Sequence, residues 1–246
     1  MPLKYTVIHL AGMDIGVQHL YDSVNRFPAM YRSDAQDVDF SVTITPEDLD
    51  LEQEKHIAEC QLEQLPVVRY SPTTLESTAV QRKIAQQLPA RQAVVFHGAA
   101  VAIGERAVLF TAKSGTGKTT HARLWLKNIP GSYIVNGDKP VLQAKADGIR
   151  VCGSPWAGKE GYGCAACVPL EAICILRRAE TNSIEALSFS EAFPVLFAQT
   201  YRPPQREALT DSLKVLNAIG SAVKFYRLSC NMDDEAAFVA YERMLQ

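Results

Sequence analysis

The clearest structural signal in this chain is residues 112–119, with the sequence AKSGTGKT. Two glycines followed by Lys118 and Thr119 are typical of loops that wrap around the phosphates of a nucleotide. An apolar run that ends at Thr111 predicts a strand before the loop, and residues 119–128 predict a helix after it. Since the loop amides and the helix N-terminus then point to the same place, the segment predicts an anion site. Ala112 stands where such loops usually begin with glycine.

Each part of this loop has an expected role. Lys118 carries the charge that neutralises the β- and γ-phosphates, and the Thr119 hydroxyl is a ligand for Mg²⁺. A glycine-rich turn with an exposed lysine is the alternative interpretation. Binding of phosphate does not by itself indicate catalysis, because the same loop serves switches, motors and kinases. The residues expected to contact the nucleotide phosphates are Ser114, Gly115, Thr116, Gly117, Lys118, Thr119 and Thr120.

A carboxylate follows the next predicted strand. Residues 133–135 are strand-like, and Asp138 lies 20 positions after Lys118. From there Asp138 can hold Mg²⁺ or accept the proton of an attacking hydroxyl. An ordinary turn aspartate in the Asn-Gly-Asp sequence is the alternative.

The remaining pattern predicts an α/β chain with a mixed sheet and two regions. Residues 1–90 predict a small α/β accessory region, with strands at 5–10 and 38–44, an acidic polar stretch at 47–52 and a helix at 77–88. Residues 91–246 contain the glycine-rich loop and predict the nucleotide-binding domain, and the hairpin-like strands beside helices there predict a mixed sheet. The strands predicted in this second region are 93–97, 100–103, 107–111, 133–135, 141–144, 149–152, 172–176 and 224–228, and the helices after that of the loop are 190–199, 205–219 and one from 233.

Composition excludes several kinds of partner. Lys plus Arg is 25 and Asp plus Glu is 27, so the net charge is −2, and no basic run suggests a nucleic-acid or anionic membrane surface. No signal peptide is evident, and no apolar run approaches the roughly 20 residues of a membrane span. The six cysteines have irregular spacings, which favours a cytoplasmic protein with reduced thiols. Cys164 and Cys167 are therefore expected to be unpaired thiols rather than half of a zinc site.

Three short segments together resemble a known family. His97-Gly98, the loop, and Val135-Asn136-Gly137-Asp138 resemble the core of the HPr kinase/phosphorylase family. The loop is also similar to that of ATP-dependent phosphoenolpyruvate carboxykinases. A Thr-His-x-Arg-Leu-Trp segment at 120–125 and a Pro-Trp-x-Gly-Lys segment at 155–159 resemble the HPr-kinase-related proteins of bacterial peptide-modification gene clusters. The resemblance covers residues 90–180 well and the first ninety residues weakly.

This resemblance implies a mixed-sheet P-loop kinase core of the HPr kinase and phosphoenolpyruvate carboxykinase type. It implies ATP or another nucleoside phosphate and Mg²⁺ as cofactors, and a homo-oligomer as the assembly. Asp138 matches the second of two paired aspartates and would be the general base toward a serine hydroxyl, with His97 beside it. Gly137 replaces the first aspartate of that pair. The loss of this acid leaves Asp138 alone or assisted by another carboxylate, for which Glu160 is the candidate.

Further candidates come from the neighbouring segments. Lys159 lies in a glycine-rich stretch, residues 154–163, and would either contact the transferred phosphate or belong to a flexible connection. Arg123, on the helix after the loop, would contact nucleotide or substrate phosphate, or be an ordinary solvated arginine. His97, at the end of an apolar run, is alternatively a hydrogen-bonded core residue.

The function predicted from these residues is a Mg-nucleotide-dependent kinase. Its acceptor would be a serine hydroxyl of a peptide or small protein, and the catalytic residues would be Asp138, His97 and Lys118. Two alternatives remain open. The first is a nucleotide-dependent module that binds a peptide or partner protein without phosphotransfer, which Gly137 motivates. The second is a small-molecule kinase acting on free serine or a similar hydroxyl.

Overall fold

The computed structural model describes residues 3–246 and has a mixed α/β architecture. It divides into two compact units, unit 1 (Met1–Gln86) and unit 2 (Gln87–Gln246). The sheets combine parallel and antiparallel strand pairs, which confirms the predicted mixed α/β class. Among the described residues, no helix is both long enough and apolar enough to cross a lipid bilayer.

Unit 1 contains a small sheet built around one hairpin. Its strands are β1 (Lys4–Leu10), β2 (Met13–His19), β3 (Arg32–Ser33) and β4 (Phe40–Thr43). Strands β1 and β2 are antiparallel, and Ala11 and Gly12 connect them with φ angles of 53° and 75°. The strand order is β3-β1-β2-β4, with β4 parallel to β2. The sequence predicted β1 and β4 but not β2.

Two helices complete unit 1, α1 (Pro46–Leu62) and α2 (Pro72–Gln87). The acidic stretch at 47–52 was predicted only as a polar segment, and it forms the first turns of α1. Thr45 and Asp48 form a capping box and Pro46 occupies the first turn, which together start a helix whose surface is polar. The second helix begins five residues before its predicted start at 77, since Pro72 is compatible with a first turn.

A buried ionic network joins α1 to α2. Arg82 Nη2 donates to Asp48 Oδ1 at 2.8 Å, Arg82 Nε donates to Glu52, and Lys83 Nζ lies 2.6 Å from Asp48 Oδ2. Burial alone would raise the pKa of Asp48, but the hydrogen bonds from Lys83 and Arg82 lower it to about 2. Both carboxylates therefore depend on Arg82 for their charge balance.

Replacing Arg82 with Met is expected to destabilise unit 1 by about 3–5 kcal/mol, because two buried carboxylates lose their shared partner. Hydrogen exchange of the α1 and α2 amides would measure this loss. Arg69→Met is the matched control, since Arg69 is exposed. Unchanged amide protection in Arg82→Met would show that the network does not stabilise the helix pair.

Unit 2 is built on a larger sheet. Its strands are β5 (Ala93–Val95), β6 (Ala99–Ile103), β7 (Arg106–Thr111), β8 (Ser132–Asn136), β9 (Val141–Lys145), β10 (Gly148–Cys152), β11 (Cys167–Arg178), β12 (Ser183–Leu187) and β13 (Lys224–Cys230). Strands neighbour one another in the order β5-β9-β10-β11-β7-β6-β8, and β13 pairs with β11 and β12. The long β11 is antiparallel to β10 near its start and parallel to β7 and β13 afterwards. The prediction missed β12 and found only the middle of β11.

Helices cover both faces of this sheet. They are α3 (Lys118–Asn128), α4 (Phe189–Gln199), α5 (Arg206–Ala222) and α6 (Glu235–Leu245). Along β7, Leu109 packs in a cluster with residues of α4 and α5, whereas Phe110 packs with residues of α3 and α6. A strand buried on both faces reads as a continuous apolar run, which is why β7 was predictable.

Two of the six cysteines, Cys152 and Cys167, differ from the expectation of reduced thiols. Cys152 and Cys167 form a disulfide, so the prediction that Cys167 is unpaired is wrong. The two residues are direct neighbours across the β10–β11 antiparallel pair, with their Cα atoms 4.0 Å apart. Strand register brings them together, and the spacing along the chain does not reveal it. Cys164 is not part of this disulfide, and its thiol hydrogen-bonds the Ile134 carbonyl at 3.7 Å.

Candidate functional site

The glycine-rich loop lies between the end of β7 at Thr111 and the start of α3 at Lys118. Gly115 and Gly117 have φ angles of 77° and 120°, a region that side chains disfavour, so the loop needs glycine at both positions. Gly117 is the N-cap of α3, and no side chain caps the first turn. The amides at this helix start are therefore available to an anion.

Hydrogen bonds to loop carbonyls fix the loop conformation. The Thr116 hydroxyl donates to the Lys113 carbonyl at 2.8 Å. Arg178, at the end of β11, donates to the carbonyls of Thr116, at 3.2 Å, and Gly115. The Thr116 amide also donates to the Lys113 carbonyl, at 3.2 Å, whereas the amides of Gly115 and Gly117 have no backbone acceptor among the described residues.

Lys118 is the buried charge of the loop. Its side chain is 8% exposed, and Nζ donates to the Ala112 carbonyl at 3.0 Å. Burial lowers the pKa of Lys118, while the nearby carboxylate of Asp138 opposes this effect. An ammonium group with one carbonyl acceptor can donate further hydrogen bonds to phosphate oxygens, and a lysine is a common point-charge partner for phosphate.

Asp138 and His97 form a pair between two connections, since His97 follows β5 and Asp138 follows β8. His97 Nε2 lies 3.3 Å from Asp138 Oδ1, and both side chains are half-buried. Burial favours a raised pKa for Asp138, but the hydrogen bond from His97 and the charges of Lys139 and Lys118 outweigh it and lower the pKa. Asp138 is therefore ionised at neutral pH. A backbone hydrogen bond also connects the two segments, since the Gly98 amide donates to the Asp138 carbonyl at 3.0 Å.

Asn136 positions Asp138, and the sequence analysis did not single it out. Its side-chain oxygen accepts from the amides of Asp138 at 2.9 Å and Lys139 at 2.7 Å. Its side-chain nitrogen donates to the carbonyl and hydroxyl oxygens of Ser154 at 3.0 and 3.1 Å. Asn136 is fully buried at the end of β8, so it links the turn of Asp138 to the loop after β10. The Asn-Gly-Asp turn was the available signal, because asparagine in such turns bonds its own backbone two residues on.

Gly137, the residue before Asp138, packs tightly against the loop that follows β10. A Cβ atom there would lie 3.1 Å from the Ala157 carbonyl oxygen and 3.3 Å from that of Tyr162. The Gly137 amide also donates to the Tyr162 carbonyl at 2.9 Å. The loop of residues 153–166 thus packs directly on Gly137, and an aspartate at this position would require that loop to move.

One cavity of about 460 Å³ joins most of these residues. The sequence-predicted residues on its wall are His97, Ser114, Gly115, Gly117, Lys118, Thr119, Thr120, Asp138, Lys159 and Glu160. Gly137, Ala157, Gly158 and Tyr162 complete the wall. Lys159 and Glu160 are exposed at this cavity.

Two predicted residues are not on this wall. Thr116 lines a neighbouring cavity instead. Arg123 is exposed on α3 and lines neither of these two cavities. Its neighbours on the helix explain this, since Ala122 and Trp125 face the core and leave Arg123 on the outer side.

Comparison with known proteins gives little further information. No protein-family model matches the chain, and no curated protein sequence matches it. Among solved structures, the HPr(Ser) kinase/phosphatase of Coxiella burnetii is similar over 50% of this chain and 88% of that chain, with 13% identity and a TM-score of 0.29. Similarity at this level has no weight for the fold or the function of this chain.

Proposed function

We propose that this protein is a kinase that transfers a phosphoryl group from a Mg-nucleotide to a serine hydroxyl of a peptide or small protein. The observation that supports this proposal is the single cavity shared by the glycine-rich loop, Lys118, Thr119 and the His97–Asp138 pair. Phosphoryl transfer requires a phosphate cradle, a cation and a carboxylate near the acceptor, and this cavity has all three on one wall.

The donor set on the wall fits Mg²⁺. The Thr119 hydroxyl and the Asp138 carboxylate are hard oxygen ligands, and Mg²⁺ is typically held by one or two such groups together with phosphates and water. When bound, the ion would supply positive charge to the phosphate oxygens. Thr119 and Asp138 are therefore the residues that would hold it.

The chain's own residues account for the remaining chemistry. The loop amides and Lys118 would hold the phosphates and stabilise the charge that develops on the transferred group. Asp138, ionised because its pKa is lowered, would accept a hydrogen bond from the serine hydroxyl and receive its proton. The serine oxygen forms a bond to phosphorus as the bond to the nucleoside diphosphate breaks. His97 would keep the Asp138 carboxylate in place.

Gly158 offers a test of Asp138 that leaves its carboxylate intact. A Cβ on Gly158, whose φ is 77°, would lie 3.1 Å from the Cβ of Asp138. Gly158→Ala is therefore expected to displace Asp138 and to lower the transfer rate about tenfold or more, a loss typical of small misplacements. Gly161→Ala is the matched control, because Gly161 has a φ of 67° in the same loop and no neighbour within 4 Å of its Cβ. Equal rates in the two variants would show that the contact with Asp138 is irrelevant.

A binding module without phosphotransfer is the second candidate. The observation that favours it is Gly137, because residues 157 and 162 pack so closely that a side chain there would have to displace them by a few tenths of an ångström. Such a module would bind the nucleotide in the same cavity and recognise its partner without consuming the nucleotide.

Label transfer from γ-labelled ATP with Mg²⁺ separates these functions. The acceptors would be a pool of serine-containing peptides and, in a second reaction, free serine. Label on a peptide in the wild type, reduced at least about 10²-fold in Asp138→Asn and Lys118→Ala, is the expected result. Label on free serine alone would favour a small-molecule kinase. Nucleotide binding with no transfer to either acceptor would contradict the kinase proposal and favour the binding module.

A further inference from the structure

A second cavity, of about 450 Å³, adjoins the first at the glycine-rich loop. The two cavities share Gly115, Gly117 and Thr120. Strand β11, helix α3 and the segment after β13 provide the rest of the wall, which includes the apolar side chains of Leu124 and Leu176. A molecule with phosphates at the loop can therefore extend into this second space.

One buried side chain on this wall has an unused hydrogen-bond donor. His121 is 3% exposed, and Trp125 Nε1 donates to His121 Nε2 at 3.2 Å. The indole N–H can only donate, so Nε2 must be the unprotonated nitrogen and Nδ1 carries the proton of the neutral ring. Among the described residues, Nδ1 is buried and has no hydrogen-bond partner.

The hydrogen bond from Trp125 assigns the neutral ring by geometry, since the indole N–H needs a lone pair on Nε2. A buried donor without an acceptor is destabilising, and nearly all buried polar groups in folded proteins have a partner. A ligand with an acceptor atom in this cavity would supply what the protein does not.

We propose that the second cavity binds the purine base of the nucleotide whose phosphates lie in the first, and that His121 Nδ1–H donates to an acceptor atom of that base. This inference rests on the proposed function. A purine has apolar faces that fit against Leu124 and Leu176, and it has ring nitrogens that accept hydrogen bonds. The guanidinium of Arg177, exposed at the same cavity, is suited to stacking on such a ring.

The test compares Mg·ATP with Mg·tripolyphosphate, which has phosphates but no base. Calorimetric titration of the wild type should show at least about tenfold tighter binding of ATP, the difference that one good hydrogen bond and ring burial supply. In His121→Phe, which keeps an aromatic ring beside Phe110, ATP affinity should fall several-fold toward that of tripolyphosphate, and tripolyphosphate affinity should not change. Leu126→Ala is the control, because Leu126 lies on the same helix, is 41% exposed and lines neither cavity.

A second variant covers the case in which His121→Phe does not fold. Leu124→Trp fills part of the cavity from the half-buried side of α3, and it should weaken ATP binding without affecting tripolyphosphate. Equal affinity of the wild type for both probes would overturn the base site and leave the proposed phosphate site standing. If ATP binds more tightly than tripolyphosphate and neither variant reduces that difference, the base does not bind in this cavity. Failure of the wild type to bind either probe would contradict the proposed function and this inference together.

Discussion

Replacing Asp138 with Asn is expected to lower the rate of phosphoryl transfer by roughly 10²–10⁴-fold, the contribution typical of a positioned general base. Asparagine has nearly the same size, but it removes the carboxylate that would receive the serine proton. The affinity for Mg·ATP should fall much less, because the loop amides and Lys118 hold the phosphates. The comparison of rate with affinity therefore separates a loss of chemistry from a loss of binding.

Asp147→Asn is the matched control for this variant. Asp147 is an exposed aspartate in the turn between β9 and β10, and it pairs with Arg150 at 2.7 Å. An exposed pair of this kind contributes little to stability, so transfer should be unaffected. A similar loss in both aspartate variants would indicate a general effect on the protein rather than a role for Asp138.

Replacing Lys118 with Ala is expected to lower the affinity for Mg·ATP and to reduce transfer by roughly 10²–10³-fold, the range seen when one donor to a developing charge is removed. The variant should fold at least as well as the wild type. Lys118 is a buried cation whose pKa burial lowers, so the native state loses a desolvated charge when it is removed. Thermal unfolding and nucleotide titration of the same preparation would measure both effects.

Lys113→Ala is the control for Lys118. The Lys113 side chain is exposed in the same loop and does not line the cavity, whereas its backbone carbonyl, which the variant keeps, accepts from Thr116. Wild-type affinity in Lys113→Ala and lost affinity in Lys118→Ala is the expected result. Retained ATP affinity in Lys118→Ala would place the phosphates elsewhere.

The sequence was most informative where one strand, one turn and one helix follow each other directly. Residues 107–128 have a continuous apolar run, two glycines and a helical pattern, and β7, the loop and α3 follow these limits closely. The placement of Asp138 near the loop was predictable for a similar reason, because it follows the end of β8 by two residues. Short-range patterns therefore located the parts of the candidate site.

Long-range packing was not predictable from such patterns. The contact of Gly137 with residues 157 and 162, and the Cys152–Cys167 pair, depend on the register of β10 and β11. The role of His121 depends on which nitrogen Trp125 faces and on which side chains surround the ring. These relationships are set by tertiary structure, and residue spacing contains no direct record of them.

Helix α1 illustrates a different limit. Its sequence is rich in acidic residues and has little amphipathic character, so an apolar periodicity could not identify it. The buried Asp48 and Glu52 face Arg82 of α2, and the pairing of these residues can be known only when both helices are placed.

One cavity is proposed both to bind the nucleotide and to transfer its phosphate. The most direct test measures, in one preparation each of wild type and Asp138→Asn, the affinity for Mg·ATP and the rate of γ-phosphoryl transfer to the best peptide acceptor. We expect both proteins to bind Mg·ATP and Asp138→Asn to transfer phosphate at least about 10²-fold more slowly than the wild type. Transfer at the wild-type rate by Asp138→Asn would contradict this proposal.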